Sequence, residues 1–257
     1  MKFDVLLARA RELGATHVAT GHYAQIVFHE PLQRWSVRRG VDRGKDQSYA
    51  LYDLTQQQLA ATLLPLGALT KVGVREIATD LGLRVAQKPE SQDICFVPDN
   101  DYGRFLREEA PDVVRPGAIR DTSGRTVGAH EGVAFYTIGQ RRGLNIACNE
   151  PRYVTHLDAE TNEVIVGTQD ELLERTVIAD EVAPGKFDTG DLQAPRQVTA
   201  MLRYKMTAQP ATAQLIDDRL HVTFEAPQRA VTPGQALVCY DGDDVACGGV
   251  IASPGPP

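Results

Sequence analysis

Beyond Pro111, glycine and proline cut the chain into short runs rich in β-branched and aromatic residues, which confines more than half of it to β structure. The runs at 117–120, 126–128, 133–138, 153–158 and 164–167 predict a small, β-rich central domain over 111–175. From Val177 a second series follows, at 198–204, 213–216, 220–224, 236–240 and 245–251. Its alternation and spacing predict a small closed barrel over 176–253. The Pro/Gly tail at 254–257 is expected to lack order.

The first 110 residues read differently. Phe3, Leu6, Leu7, Ala10 and Leu13 recur at helical spacing, and Gly14 supplies a stop. Residues 16–20 then predict a short buried strand ending at Gly21-His22. A helix feeding a strand is half of a parallel α/β unit, and only one such unit is convincing here. Extended segments at 23–28 and 34–37 flank a Pro31 turn and lead into the basic loop from Arg38 to Lys45. One helix is expected from Thr55 through Leu64. A second, capped by Thr70, carries Val74, Ile77, Ala78 and Leu81 as its apolar stripe and stops at Gly82. A short helix over 102–109 is capped by Asp99 or Asp101. No internal repeat is present.

The composition excludes several classes of function. No apolar run is long enough to span a bilayer, and the N-terminus has no secretory pattern, so a cytoplasmic, membrane-free protein is expected. The four cysteines form no Cys-x-x-Cys pair, which argues against a zinc site and a disulfide framework. No cluster has metal-ligand spacing, so no bound metal is expected. The formal net charge of −7 means that any nucleic acid must be met by local basic patches on an acidic body.

The stretch Ser91-Gln92-Asp93-Ile94-Cys95-Phe96-Val97 admits two readings. Cys95 is either a small hydrophobe in a buried strand or a thiol held where the chain changes direction between polar neighbours. Five further strings accompany it: Thr20-Gly21-His22-Tyr23-Ala24; Gly44-Lys45-Asp46-Gln47-Ser48-Tyr49; Tyr136-Thr137-Ile138-Gly139-Gln140-Arg141-Arg142-Gly143-Leu144; Leu202-Arg203-Tyr204; and Ala230-Val231-Thr232-Pro233-Gly234-Gln235. Taken together and in order, the six resemble the tRNA-specific 2-thiouridylases, which replace the C2 oxygen of the wobble uridine with sulfur. The resemblance implies an α/β plus all-β chain. Its parts would be an incomplete PP-loop ATPase-type (Rossmann-like) domain over 1–110, a central β-rich domain and a C-terminal tRNA-binding β-barrel.

The resemblance also assigns roles. Cys95 matches the cysteine that carries the transferred sulfur as a persulfide, and Gly21 matches a residue against ATP. His22, Lys45, Asp46, Gln47, Arg203, Tyr204 and Gln235 match tRNA contacts. ATP, accompanied by magnesium, is the implied co-substrate; the partners are tRNA and a persulfide sulfur-donor protein. Cys148, Cys239 and Cys247 match no catalytic position. The family's Ser-Gly-Gly-x-Asp-Ser phosphate loop and Asn-Pro-Cys motif, whose cysteine is the other thiol, do not occur in this sequence. The expectation is therefore an N-terminally truncated chain, inactive alone, whose first 100 residues need the missing segment in cis or in trans. The alternatives are a non-catalytic tRNA-binding remnant and a generic thiol oxidoreductase built on Cys95. The last leaves the basic loops unexplained and lacks a Cys-x-x-Cys partner.

Overall fold

The computed structural model describes residues 2–84, 86, 101–148 and 150–254, which divide into two compact units. The first takes the described residues up to 86, Arg175–Ala226 and those from Thr232 onward. The second takes the described residues between 101 and 174 together with Pro227–Val231.

Helix α1 (Lys2–Glu12) buries Phe3 and Leu7, one turn apart, and leaves Leu6 exposed. Gly14 ends it as expected. Gly14 N–H donates to the Arg11 carbonyl at 3.0 Å, and the φ of +75° turns the chain so that Ala15 N–H reaches the Ala10 carbonyl at 2.9 Å. Strand β1 (Val18–Ala19) follows. Strands β2 (Ala24–His29) and β3 (Arg34–Arg39) then form a hairpin in register from Ala24↔Arg39 to His29↔Arg34. The helix expected from Thr55 to Leu64 is shorter: α2 (Gln56–Ala60) starts on a Thr55–Gln58 capping box and stops at Ala60. What ends it is β1 and the residue after it: the Val18 and Thr20 amides donate to the Ala61 and Leu63 carbonyls. Residues Thr62–Leu63 thus become β4, parallel to β1. Helix α3 (Lys71–Asp80) has its Thr70 cap and Gly82 stop, but its expected core stripe is not buried: Ile77 and Leu81 are 47% and 69% exposed. No described element covers that face.

In the second unit, α4 (Tyr102–Glu109) is capped by the Asp101 side chain, which accepts from the Arg104 amide at 2.8 Å. Strands β5 (Gly117–Asp121), β6 (Thr126–His130), β7 (Tyr153–Asp158) and β8 (Glu163–Gly167) form a sheet in the order β6-β5-β8-β7, with only β5 and β8 parallel. Ile119, Leu144, Val154, Val164 and Val166 fill its core. The strand expected over 133–138 is instead a tight turn, because the Phe135 and Tyr136 amides bond the Gly132 and Val133 carbonyls three residues back.

The barrel returns to the first unit. Strands β9 (Leu173–Pro184), β10 (Arg196–Met201), β11 (Gln209–Ile216), β12 (Arg219–Arg229), β13 (Ala236–Asp241) and β14 (Asp244–Pro254) run in the order β13-β10-β11-β12-β9-β14. A β13–β14 pairing closes the ring. Alternation holds: Ala211, Ala213 and Leu215 on β11, and Leu220, Val222 and Phe224 on β12, point inward. Strand β14 also carries the β2–β3 hairpin on its other edge at Asp244↔Arg38. One apolar cluster runs through both parts of this unit, including Phe3, Leu7, Val18, Val37, Tyr240 and Val245. Among the described residues no helix is long and apolar enough to cross a membrane.

The hairpin–barrel junction is polar, with Asp244 buried and His29, Arg38 and Lys186 half-buried around it. Asp244 accepts from Arg38 Nε and Nη2 at 2.6 and 3.1 Å, and its Oδ2 lies 3.6 Å from His29 Nε2 and 3.8 Å from Lys186 Nζ. Burial pushes His29 below its ordinary value of 6.5. Lys186 and Arg38 act in the same direction, while Asp244 and Asp241 oppose them. Below that value the unfolded chain takes up a proton that the folded junction resists, so stability falls as pH falls. Wild type is expected to lose stability between pH 7 and 5.5 faster than His29→Gln, by at most about 1.4 kcal/mol per pH unit. Urea titrations with equal slopes in both proteins would remove His29 from this role.

Candidate functional site

The loop after β3 is held by one carboxylate. Asp46 Oδ1 accepts from the Gly40 and Ser48 amides at 2.9 and 3.1 Å, and Oδ2 from Ser48 Oγ at 2.8 Å. Ser48 Oγ also lies 3.1 Å from the Tyr240 hydroxyl, inside the barrel wall. Burial pushes Tyr240 up to about 12, so it stays a neutral phenol. The Arg39 guanidinium covers its ring at 3.8 Å, with Nη1 3.8 Å from Asp46 Oδ2. Gln47 fixes the far end: its amide donates to the Tyr23 carbonyl at 3.0 Å, and its Oε1 accepts from Tyr23 N–H at 2.9 Å. Lys45 donates its amide to the Asp42 carbonyl, and Asp42 Oδ2 accepts the Lys71 amide at the start of α3.

Across this loop opens a cleft of ≈ 520 Å³ whose lining includes Arg39, Arg43, Asp46, Tyr49, Tyr204 and Lys205. Tyr204 is 46% exposed, its ring centroid 6.2 Å from that of Tyr49 and 5.7 Å from Lys205 Nζ. Tyr49 is braced by its hydroxyl, which donates to the Ala236 carbonyl at 2.7 Å, and burial pushes it up to about 12. A half-exposed ring among cations presents a π-face to a base and positive charge to a backbone.

Of the residues singled out from sequence, Asp46 and Tyr204 line this cleft. Arg203 is exposed beside it, and Lys45 and Gln47 belong to the same loop. Arg203-Tyr204 was expected on a barrel strand, but β10 ends at Met201 and the pair lies in the turn beyond. Gln235 is exposed in the turn before β13, next to the Ala236 that braces Tyr49. His22 Nδ1 meets Thr20 Oγ1 at 2.7 Å, and its ring stands 6.0 Å from Phe3. Gly21 is exposed, and a Cβ there would touch only Leu66 Cδ1, at an ordinary 3.6 Å, so packing among the described residues does not require glycine. Cys95 and its flanking motif lie outside the described residues. Cys239 and Cys247 face each other across β13 and β14, fully buried; the hydrogen bond between them and burial push the Cys239 thiol far up. A thiol held protonated there is no nucleophile. Sequence reasoning placed Arg39 in the basic loop from Arg38 to Lys45 but did not single out Tyr49 or Tyr240; the only signal for Tyr49 was that it closes the Gly44–Tyr49 string. Among the described residues no group of His, Cys, Asp and Glu could hold a metal.

Three family models match the chain in order: a tRNA methyl transferase HUP domain over 1–99, a tRNA methyl transferase PRC-barrel domain over 103–168, and an aminomethyltransferase β-barrel domain over 182–251. The chain is 46% identical to the tRNA-specific 2-thiouridylase MnmA of Carboxydothermus hydrogenoformans, across 98% of itself and 68% of that protein. It is 49% identical to the protein of the same name from Moorella thermoacetica (98% and 71%) and 48% to that of Heliobacterium modesticaldum (98% and 66%). It thus spans about two thirds of the length of these relatives.

Proposed function

We propose that this chain, which belongs to the tRNA-specific 2-thiouridylase family, takes part in the ATP-dependent exchange of the C2 oxygen of a tRNA wobble uridine for sulfur. The family models are described by methyl transfer and the relatives by thiolation. We follow the relatives, because they match at nearly half identity over 98% of the chain. The observation that carries the reading is the cleft in which Arg39, Arg43, Tyr49, Tyr204 and Lys205 meet from segments far apart in sequence. It gives an acidic chain a local cationic and aromatic surface of the kind a single-stranded anticodon needs.

In this reading Lys45, Arg203, Tyr204, Gln235 and His22 meet the tRNA, while Asp46 and Gln47 hold the loop that presents them. Gly21, with room for a close backbone approach, lies against ATP and its magnesium. The uridine O2 attacks the α-phosphate and pyrophosphate leaves. Cys95, loaded as a persulfide by a sulfur-donor protein, attacks C2 with its terminal sulfur, and AMP leaves. A second thiol then attacks the Cys95 sulfur: the S–S bond breaks, a disulfide forms, and the outer sulfur stays on C2. Cys239 and Cys247, sealed in the barrel, do not supply that thiol. The sequence holds neither the glycine-rich phosphate loop nor the Asn-Pro-Cys string. The 257-residue polypeptide on its own is therefore expected to form no 2-thiouridine from ATP, tRNA and a persulfide donor; tRNA retarded on a mercury-containing gel would refute this.

Binding is tested separately from chemistry. Tyr204→Ala is expected to weaken tRNA binding by about 1–3 kcal/mol, the loss of one stacked base. Arg203→Ala should lower the salt slope by about one, and Cys95→Ser should change neither. Wild-type affinity in both of the first two variants would remove the cleft from the reading.

A further inference from the structure

We infer that Arg141 and Arg142 form a phosphate-binding station for the tRNA backbone in the second unit, an inference that rests on the thiouridylase reading above. The loop that carries them is built to hold a shape. Gln140 bridges it, its Oε1 accepting the Thr137 amide at 3.0 Å and its Nε2 donating to the Arg142 carbonyl at 2.9 Å. Gly139 N–H donates to the Val154 carbonyl at 2.7 Å and Val154 N–H to the Gln140 carbonyl at 2.9 Å, which sews the loop to β7. Gly139 and Gly143, at φ +86° and +77°, make the reversals, and Leu144 plugs the exit into the core.

What this scaffold presents is two adjacent guanidiniums, both exposed, whose side chains have no hydrogen-bond or ion-pair partner among the described residues. The contrast with their neighbours is direct. Arg104, Arg107, Arg120 and Arg125 of the same unit pair with Glu108, Glu131, Glu163 and Asp121 at 2.6–3.2 Å. In a chain with 34 acidic and 27 basic residues, a neighbouring pair of unneutralised arginines on a braced loop is an unusual expense of charge. Arg141 also lines a cleft of ≈ 390 Å³ with Arg152, against the one carboxylate of Glu150. That lining contains no aromatic side chain, so it offers neither a stacking platform for a base nor the anchor that protein interfaces favour. The planar forks of arginine match phosphate oxygens, and binding there reads backbone rather than sequence.

The test is filter binding of the full chain to an unmodified tRNA transcript bearing a wobble uridine, across a range of salt concentrations. The proteins compared are wild type, R141A/R142A, R141K/R142K and R203A, with melting curves as the check on folding. The double alanine variant is expected to bind about tenfold more weakly near physiological salt and to lose about one to two from the salt slope, while the lysine pair keeps most of that slope. If R203A weakens binding but R141A/R142A matches wild type in affinity and slope, this inference fails and the thiouridylase reading stands. If wild type shows no salt-sensitive tRNA binding, both fail. If the double variant keeps tRNA binding but no longer binds a persulfide-bearing donor protein, the loop is a protein dock and the inference is overturned.

Discussion

Replacing Asp46 with alanine is expected to destabilise the protein by about 2–4 kcal/mol and to abolish most tRNA binding, although the carboxylate is buried and acidic. Its side chain is 10% exposed and accepts three hydrogen bonds, two from backbone amides. Alanine leaves the Gly40 and Ser48 amides and the Ser48 hydroxyl without that acceptor, and removes the negative charge facing Arg39. Opening the loop lets water satisfy these groups, which limits the loss and releases Lys45 from its position, while Arg43 keeps its own ion pair with Asp243 at 2.6 Å. Asp46→Asn keeps the shape and should cost less. Urea denaturation and tRNA affinity are the two measurements. Lost affinity at unchanged stability would mean that Asp46 acts on the RNA itself, as its motif alone suggests, and not through the loop.

Gly67→Val is expected to cost about 3 kcal/mol or more, by overpacking against backbone that has nowhere to go. Gly67 is buried where the chain after β4 crosses the start of β2, and a Cβ there would run into the Ala24 carbonyl. Its own carbonyl accepts the Val41 amide at 3.0 Å, so displacing it also pulls the basic loop. Gly14→Ala makes the comparison. Gly14 has a φ of +75° but open space around its Cβ position, and only the conformational penalty of about 1–2 kcal/mol applies. Equal midpoints for the two variants in urea would show that the crossing at Gly67 relaxes freely.

Local chemistry was legible where one residue decides the outcome. Gly14 and Gly82 stop their helices, Thr70 and Asp101 cap theirs, and the alternation along β11 and β12 turns the right residues inward. Reading failed where a distant segment decides. Residues 62–63 carry helical periodicity but meet the open edge of β1, and the β14 edge that receives β3 lies about 200 residues away in sequence. The site divides the same way. Lys45, Asp46, Arg203 and Tyr204 stand out as motifs, whereas Arg39, Tyr49 and Tyr240 matter only because the barrel wall comes to the loop. That Asp46 is an internal brace is invisible in a string in which it sits between a lysine and a glutamine.

Strand β14 closes the barrel against β13 and carries the first hairpin through Asp244 and Arg38, partners 206 residues apart. On the ribosome this gives the molecule a fixed timetable. The hairpin is made early but has no edge to join until β14 has left the exit tunnel, and the ring, begun only at β9, stays open until that same strand arrives. At roughly 5–20 residues per second, that wait is on the order of ten seconds or more. From the time β9 is made until β14 follows about 70 residues later, the β9 edge that will take β14 is unpaired. A slow stretch of codons between β9 and β14 would lengthen that exposure, whereas one placed before β9 would not.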